Sequence, residues 1–150
     1  MGKGVGTAIL TGTALLFACS PCFLSNCPAP LVVSVAHDGG LGEQDYAITI
    51  ELNGKSAEFE CWLAEEGYLC NGPLSWEPYA DATSFSFELK NGPGAEELWP
   101  IIVDVQGSET PGFTHHGSVY FYAYTIDDTD WEGEECSKTC FGADELWLTY

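Results

Sequence analysis

Residues 48–61 of the chain read ITIELNGKSAEFEC, and this stretch decides the fold class. Apolar and polar side chains alternate on both sides of Asn53-Gly54, which is the pattern of two half-buried strands. Asn-Gly suits a type I′ turn because both central residues of that turn need a positive φ. A two-residue turn here pairs Ile50 with Ala57, so the apolar faces of the two strands coincide. The stretch therefore predicts a β-hairpin with one face in a core.

The next turn predicts a disulfide. A four-residue loop over 64–67 pairs Leu63 with Tyr68 and places Cys61 opposite Cys70 on the apolar face. Directly opposed strand residues have Cα atoms roughly 4.5–5.5 Å apart, which lies within the range that a disulfide accepts. We therefore expect a Cys61–Cys70 bridge.

Alternating runs of the same kind continue through the rest of the chain. Clusters of Gly, Pro, Asn and Asp separate them, and no 3.6-residue periodicity or internal repeat is present. Besides the two hairpins, strands are predicted around residues 31–35, 85–89, 101–105, 119–126 and 145–150. Seven or eight short strands with turns between them are typical of a sandwich, so the predicted fold class is an all-β antiparallel β-sandwich.

Composition excludes several classes of function. The 150 residues contain 23 Asp and Glu against four Lys and no Arg, giving a formal net charge of -19. Such a chain cannot neutralise phosphates, so a nucleic-acid binder is excluded, and a polybasic membrane-surface binder is disfavoured for the same reason. Disorder does not follow from the acidity, because 45% of the residues are hydrophobic and 13% are aromatic. The length predicts one domain.

The N-terminus reads as an export signal. Lys3 precedes an uncharged run over 4–18 that is shorter than the roughly 20 residues a spanning helix needs, so a signal peptide over 1–18 fits better. The run ends in LFAC at 16–19, which resembles the lipobox of bacterial lipoproteins. The resemblance implies that Cys19 is lipidated and that the protein resides in the outer membrane. The alternative is an ordinary signal peptide cut by a different peptidase.

Seven cysteines in so short a chain indicate an oxidising compartment. If Cys19 carries lipid, six remain, an even number that suits a disulfide framework. Besides the hairpin bridge, the simplest pairing is a local Cys136–Cys140 bridge, and Cys22–Cys27 then follows by elimination. The alternative is that an N-terminal cysteine crosses to the C-terminal loop and anchors the N-terminal segment on the domain.

These features predict three segments: a signal peptide at 1–18, a Cys- and Pro-containing tether at 19–30, and a β-sandwich at 31–150. The LFAC motif and the loop between Cys136 and Cys140 resemble those of small lipoproteins of Gram-negative bacteria. That resemblance implies an immunoglobulin-like or fibronectin-like sandwich and carries no known activity.

An acidic stretch offers a candidate metal site. Residues 127–135 read DDTDWEGEE, and the candidate ligands are Asp128, Asp130, Glu132 and Glu134. Oxygen ligands at alternate positions followed by a glycine resemble the first half of an EF-hand loop, which favours Ca²⁺. The alternative is a solvated acidic turn between the last two strands.

A row of tyrosines offers a candidate ligand-binding surface. Tyr120, Tyr122 and Tyr124 share one face of a predicted strand. Exposed aromatic rings, together with Trp62 or Trp147, stack on sugars or anchor a protein partner. The alternative is ordinary cross-strand packing of the tyrosines.

No catalytic motif is present. His37, His115 and His116 are the only histidines, and the last two are expected in a loop that follows residue 107. A nucleophile elbow, a phosphate-binding loop and a zinc-binding helix are all absent from the sequence, so no enzyme and no resident cofactor is expected.

The sequence thus predicts a lipid-anchored, non-enzymatic binding or structural module of the cell envelope. Its partners would be the membrane, through the lipid anchor, and an envelope protein or glycan. The alternative is a calcium-dependent or carbohydrate-binding adhesion module that uses the acidic loop or the tyrosine face.

Overall fold

The computed structural model describes residues 27–129 and 135–150, which form ten β-strands and no helix. The strands are β1 (Leu31–Ala36), β2 (Tyr46–Leu52), β3 (Lys55–Ala64), β4 (Gly67–Asn71), β5 (Trp76–Ala80), β6 (Ser84–Leu89), β7 (Glu97–Gly107), β8 (Phe113–Thr129), β9 (Glu135–Gly142) and β10 (Leu146–Thr149). They form two sheets that pack on each other, so the fold is the all-β sandwich that the alternation predicts.

One sheet has four strands in the order β10-β1-β6-β5, and the other has six in the order β4-β3-β2-β7-β8-β9. Neighbouring strands are antiparallel except β1 and β10, which pair in parallel. Side chains along each strand point alternately into the core and away from it. The solvent-exposed side of the six-stranded sheet is termed the outer face below.

The central hairpin has the predicted turn and register. Asn53 and Gly54 have φ values of 49° and 78°, the left-handed conformation that a type I′ turn requires. Ile50 pairs with Ala57, and both residues are buried. The turn and the apolar pattern therefore specify the same register, as the sequence predicts.

The core lies between the sheets and is rich in phenylalanine. Phe59 from the six-stranded sheet lies against Phe87 from the four-stranded sheet, with ring centroids 4.4 Å apart. Trp76 packs edge-on against Phe59, at 6.3 Å. Both Phe59 and Phe87 are at most 1% exposed. Burial of large rings from facing sheets is the main source of stability in such a sandwich.

The described residues contain ten strands where seven or eight were expected. The two that the pattern did not predict are β5 and β9. Pro78 lies within β5 and pairs with Phe87. Proline is tolerated there because β5 lies at the edge of its sheet, where a missing N–H leaves no ladder bond unmade. The segment that forms β9 was expected to be a loop because of the spacing of its two cysteines.

The strand order corresponds to that of a variable-type immunoglobulin sandwich. With β1 taken as strand B, the order β1-β6-β5 corresponds to B-E-D, and β8-β7-β2-β3-β4 corresponds to G-F-C-C′-C″. Three features differ. The strand β9 extends the six-stranded sheet beyond the position of strand G. The position beside strand B is taken by β10 in a parallel pairing, and neither β1 nor β7 contains a cysteine for a B–F disulfide.

Two disulfides join described residues. Cys61 is bonded to Cys70 across β3 and β4, as the hairpin register predicts. Cys27 is bonded to Cys140, which lies 113 residues later in the chain. The second bridge realises the alternative in which an N-terminal cysteine crosses to the C-terminal part. Together the bridges indicate an oxidising, extracytoplasmic compartment.

The pairings expected from local spacing are therefore wrong. Because Cys140 is bonded to Cys27, neither Cys136–Cys140 nor Cys22–Cys27 forms, and Cys136 is itself disulfide-bonded. The physical reason is that Cys136 and Cys140 both lie in β9, where Cα atoms four positions apart are about 13 Å from each other. A disulfide accepts Cα atoms no more than about 7 Å apart.

Candidate functional site

The tyrosine row lies on the exposed side of β8. Val119 and Phe121 are buried, whereas Tyr120 and Tyr122 are 52% and 38% exposed. Tyr124 shares their side of the strand and is half-buried, with its ring centroid 6.2 Å from that of Tyr122. The row is therefore available to solvent at Tyr120 and Tyr122.

A small cleft of about 250 Å³ lies beside this row. Tyr120 and Tyr122 line one part of it, and Asp144 and Glu145, which precede β10, line another. The Tyr122 hydroxyl donates a hydrogen bond to Oδ1 of Asp144 at 3.1 Å. This hydrogen bond, with the charge of the carboxylate, raises the pKa of the Tyr122 hydroxyl. The cleft thus presents aromatic rings next to carboxylate acceptors.

A larger cleft of about 580 Å³ opens at the other end of the outer face. Its lining includes Asp45, Ala47, Glu60, Trp62 and Gln106. Ala47 pairs with Glu60 on one side and with Gln106 on the other. Because the alanine methyl is much shorter than its two neighbours, it leaves a depression between them. These five residues define what is termed the Trp62 cleft.

Trp62 forms one side of that depression. The Tyr46–Cys61 pair fixes the register, so Asp45 lies next to Trp62 across the β2–β3 boundary. Trp62 also pairs with Leu69 of β4, and its side chain is 38% exposed. The Cys61–Cys70 bridge is adjacent to this pair and ties β4 to β3. The tryptophan is thus held on a disulfide-linked part of the sheet.

On the side of the cleft opposite Trp62, the buried side-chain amide of Gln44 holds the loop that follows β7. Gln44 is 8% exposed, and its Nε2 donates to the Tyr46 hydroxyl at 3.1 Å. Its Oε1 accepts the backbone N–H of Glu109 at 2.7 Å. The backbone N–H of Ser108 in turn donates to the carbonyl of Asp45 at 2.9 Å. These bonds satisfy buried polar groups and position the loop after β7 beside the cleft.

The proposed calcium ligands lie mostly outside the described residues. This applies to Asp130, Glu132 and Glu134, and to the side chain of Asp128, whose backbone pairs with Cys136. Within 27–129 and 135–150, no three His, Cys, Asp or Glu side chains come together as a metal site. The calcium site stays a prediction.

The adjacent histidines are in a strand and not in the expected loop. His115 and His116 belong to β8, where they pair with Val103 and Ile102 of β7. Neighbouring strand residues point to opposite faces, so the two imidazoles cannot bind one ion together. The strand begins earlier than expected because Phe113 pairs with Val105.

The lipidation residue Cys19, with Cys22, also lies outside the described part of the chain. In the part that the structure covers, no helix is long and apolar enough to cross a bilayer. No protein-family model matches this chain, and neither a curated protein nor a solved structure matches it.

Sequence reasoning did not find the Trp62 cleft. Part of the signal was present, because the Asn53-Gly54 turn places Glu60 opposite Ala47 and an inward Cys61 points Trp62 outward. The missing part was Gln106, which comes from a strand distant in the sequence. Only the sheet order shows that β7 lies beside β2.

Proposed function

We propose that the chain is a lipid-anchored, extracytoplasmic, non-enzymatic binding module of the cell envelope that docks a protein partner on its outer face. The two disulfides support a location outside the cytoplasm. The net charge of -19 keeps such a domain soluble and disfavours anionic partners.

The observation that carries the docking role is the distribution of exposed apolar side chains. Of the nine large exposed hydrophobic residues in the described ranges, five are on the outer face: Trp62, Leu69, Leu98, Tyr120 and Tyr122. Trp62 pairs with Leu69, and Leu98 pairs with Tyr120. Pairs of exposed aromatic and aliphatic side chains with polar residues around them are a feature of protein-interaction surfaces.

The two pairs lie toward opposite ends of the outer face. Between them the outward side chains of β2, β3 and β7 include Glu51, Glu58 and Asp104. Apolar contacts at both ends with charged residues between them suit a partner that lies across the sheet. Apolar anchors supply affinity, and charges supply specificity and association rate.

The docking role is tested by cross-linking in the cells that produce the protein. A photoreactive phenylalanine analogue replaces Tyr120 on the outer face in one variant, and Tyr79 on the four-stranded sheet in a matched control. Both side chains are about half exposed, at 52% and 51%. We expect a discrete cross-linked protein band from the Tyr120 position only. Equal bands from both positions, or none from Tyr120, would contradict the proposal.

The lipid anchor rests on the sequence around Cys19. The bridge between Cys27 and Cys140 would then tie the anchored segment to the sandwich. Labelling cells with radioactive palmitate tests this, and we expect label in the protein that Cys19→Ala abolishes. The matched control Ser20→Ala should retain the label. Label that persists in the Cys19→Ala variant would place the modification elsewhere.

Carbohydrate binding is the second candidate, and the small cleft beside Tyr120 and Tyr122 favours it. Rings that stack on sugar faces lie there beside the carboxylates of Asp144 and Glu145, which accept hydrogen bonds from hydroxyls. A glycan array tests this candidate. Binding that Tyr120→Ala removes and Trp147→Ala preserves would support it, and an array without signal would remove it.

A further inference from the structure

The Trp62 cleft combines a tryptophan ring, two carboxylates and a small floor residue. Asp45 is next to Trp62 across the strands, and Glu60 lies two residues before it on the same side of β3. Neither carboxylate forms an ion pair with another described residue. The salt bridge in that part of the chain joins Lys90 to Glu77. Both carboxylates are on exposed residues.

The surroundings of the cleft are acidic. Glu58 and Asp104 flank Thr49 in the adjacent row of the sheet, and no lysine points from the paired strands β2, β3 and β7 onto this face. Gln106, on the rim, donates from Nε2 to the carboxylate of Asp104 at 3.2 Å. Gln106 thus directs an amide N–H to a carboxylate of the protein itself, and its carbonyl oxygen accepts no hydrogen bond from the described residues. The cleft consequently offers acceptors in excess of donors.

We propose that the Trp62 cleft binds an arginine side chain from a basic segment of the protein partner. This inference rests on the proposed docking function and specifies the chemistry of the partner at that face. A guanidinium group has five N–H donors and no acceptor, which complements a site of carboxylate oxygens. Its flat face stacks on an indole ring, where the ring quadrupole attracts the positive charge.

The volume and position of the cleft suit this occupant. At about 580 Å³ it has room for a long side chain and the peptide groups on either side of it. The Ala47 methyl at the floor allows the aliphatic part of the arginine to lie across the sheet between Glu60 and Gln106. The negative charge of the surrounding face steers a basic segment toward the cleft.

A sugar ring gains less from the Trp62 cleft than a cationic side chain does. Each of the two clefts has two carboxylates in its lining, so acceptors for sugar hydroxyls do not distinguish them. A sugar also gains nothing from the charge of the outer face. The same charge disfavours an acidic partner.

The test uses the full chain, labelled with ¹⁵N, and a capped six-arginine peptide as the probe. We expect saturable binding, with the largest amide shifts at residues 45–47, 60–62 and 106–108. A capped six-lysine peptide of equal charge should bind at least about threefold more weakly, because an ammonium group cannot stack or form a fork of hydrogen bonds. Equal affinity of the two peptides would overturn the arginine assignment.

Variants separate the cleft from general charge attraction. Trp62→Leu keeps an apolar side chain but removes the indole face, and it should weaken six-arginine binding by about tenfold. Glu60→Gln should weaken it by about threefold, whereas Glu58→Gln, with the same change in charge on the same strand, should change it by less than about twofold. If Glu58→Gln and Glu60→Gln have equal effects, attraction is diffuse and the site does not exist.

Thermal melting of each variant shows that it is folded, and Trp147→Ala serves as a control on the other sheet. Failure of this inference is distinguishable from failure of the docking role. If Tyr120 cross-links a partner but the six-arginine peptide does not bind, the cleft assignment falls and the docking role stands. If the peptide binds in the cleft but nothing cross-links at Tyr120, the docking role falls and the preference of the cleft for arginine stands.

Discussion

Removing the Cys61–Cys70 bridge should destabilise the protein by an amount that follows from its position. The bridge joins β3 to β4 across a sequence separation of 9 residues. Its sulfur atoms lie at the core side of the hairpin, where Cys61 is 1% exposed. The perturbation is the double variant Cys61→Ala and Cys70→Ala, which leaves no unpaired thiol at the site.

The expected magnitude comes mainly from the unfolded chain. A cross-link over this separation of 9 residues removes loop-closure entropy equivalent to about 2.6 kcal/mol at 25 °C. For a domain of this size, such a loss lowers the melting temperature by about 10 °C. Because the freed chain expands, the dependence of the unfolding free energy on urea should also become steeper.

Urea titration monitored by circular dichroism measures the free energy of unfolding and its dependence on urea. Leu69→Ala, an exposed position beside the bridge, is the matched control and should change the unfolding free energy by no more than about 0.5 kcal/mol. A loss below about 1 kcal/mol in the double variant, with an unchanged urea dependence, would refute the loop-closure reasoning. A loss of the expected size with an unchanged urea dependence would instead point to packing of the sulfur atoms.

Three further predictions concern single residues. Gly54→Ala should destabilise the fold by about 1 kcal/mol in urea titrations, because Gly54 has a φ of 78°. Gln44→Ala leaves the Glu109 N–H without its acceptor and removes one of the two donors to the Tyr46 hydroxyl, the other being the Gly42 N–H. It should therefore cost about 1–3 kcal/mol and speed hydrogen exchange at Glu109, and unchanged exchange would contradict this. Burial raises the pKa of Tyr150 to about 12. The unfolded chain therefore loses this proton at lower pH than the native state, stability falls between about pH 10 and 12, and Tyr150→Phe should make that fall shallower.

Much of the local structure could be predicted because it depends on neighbours in sequence. The Asn53-Gly54 turn specifies its own register, and that register sets the faces of β2 and β3. The following turn then places Cys61 opposite Cys70. For β8 the sequence places Tyr120, Tyr122 and Tyr124 on one side but leaves open which side is buried, and the structure buries the side of Val119 and Phe121.

Other features depend on the order of strands in the sheets. Cys136 and Cys140 look like a local pair only until 135–142 is known to be a strand, in which they lie too far apart to bond. The true partner of Cys140 is Cys27, which is 113 residues away. Spacing carries no information about such a contact, because it follows from how the whole domain closes.

The sandwich class, the central hairpins, the Cys61–Cys70 bridge and the strongly acidic character of the chain follow from the amino-acid sequence. The crossing bridge, the strands β5 and β9 and the Trp62 cleft become visible in the folded domain. The physical reason is range: turn geometry and period-two alternation act over a few residues, whereas the cleft needs β7 beside β2, so that Gln106 faces Glu60 across Ala47.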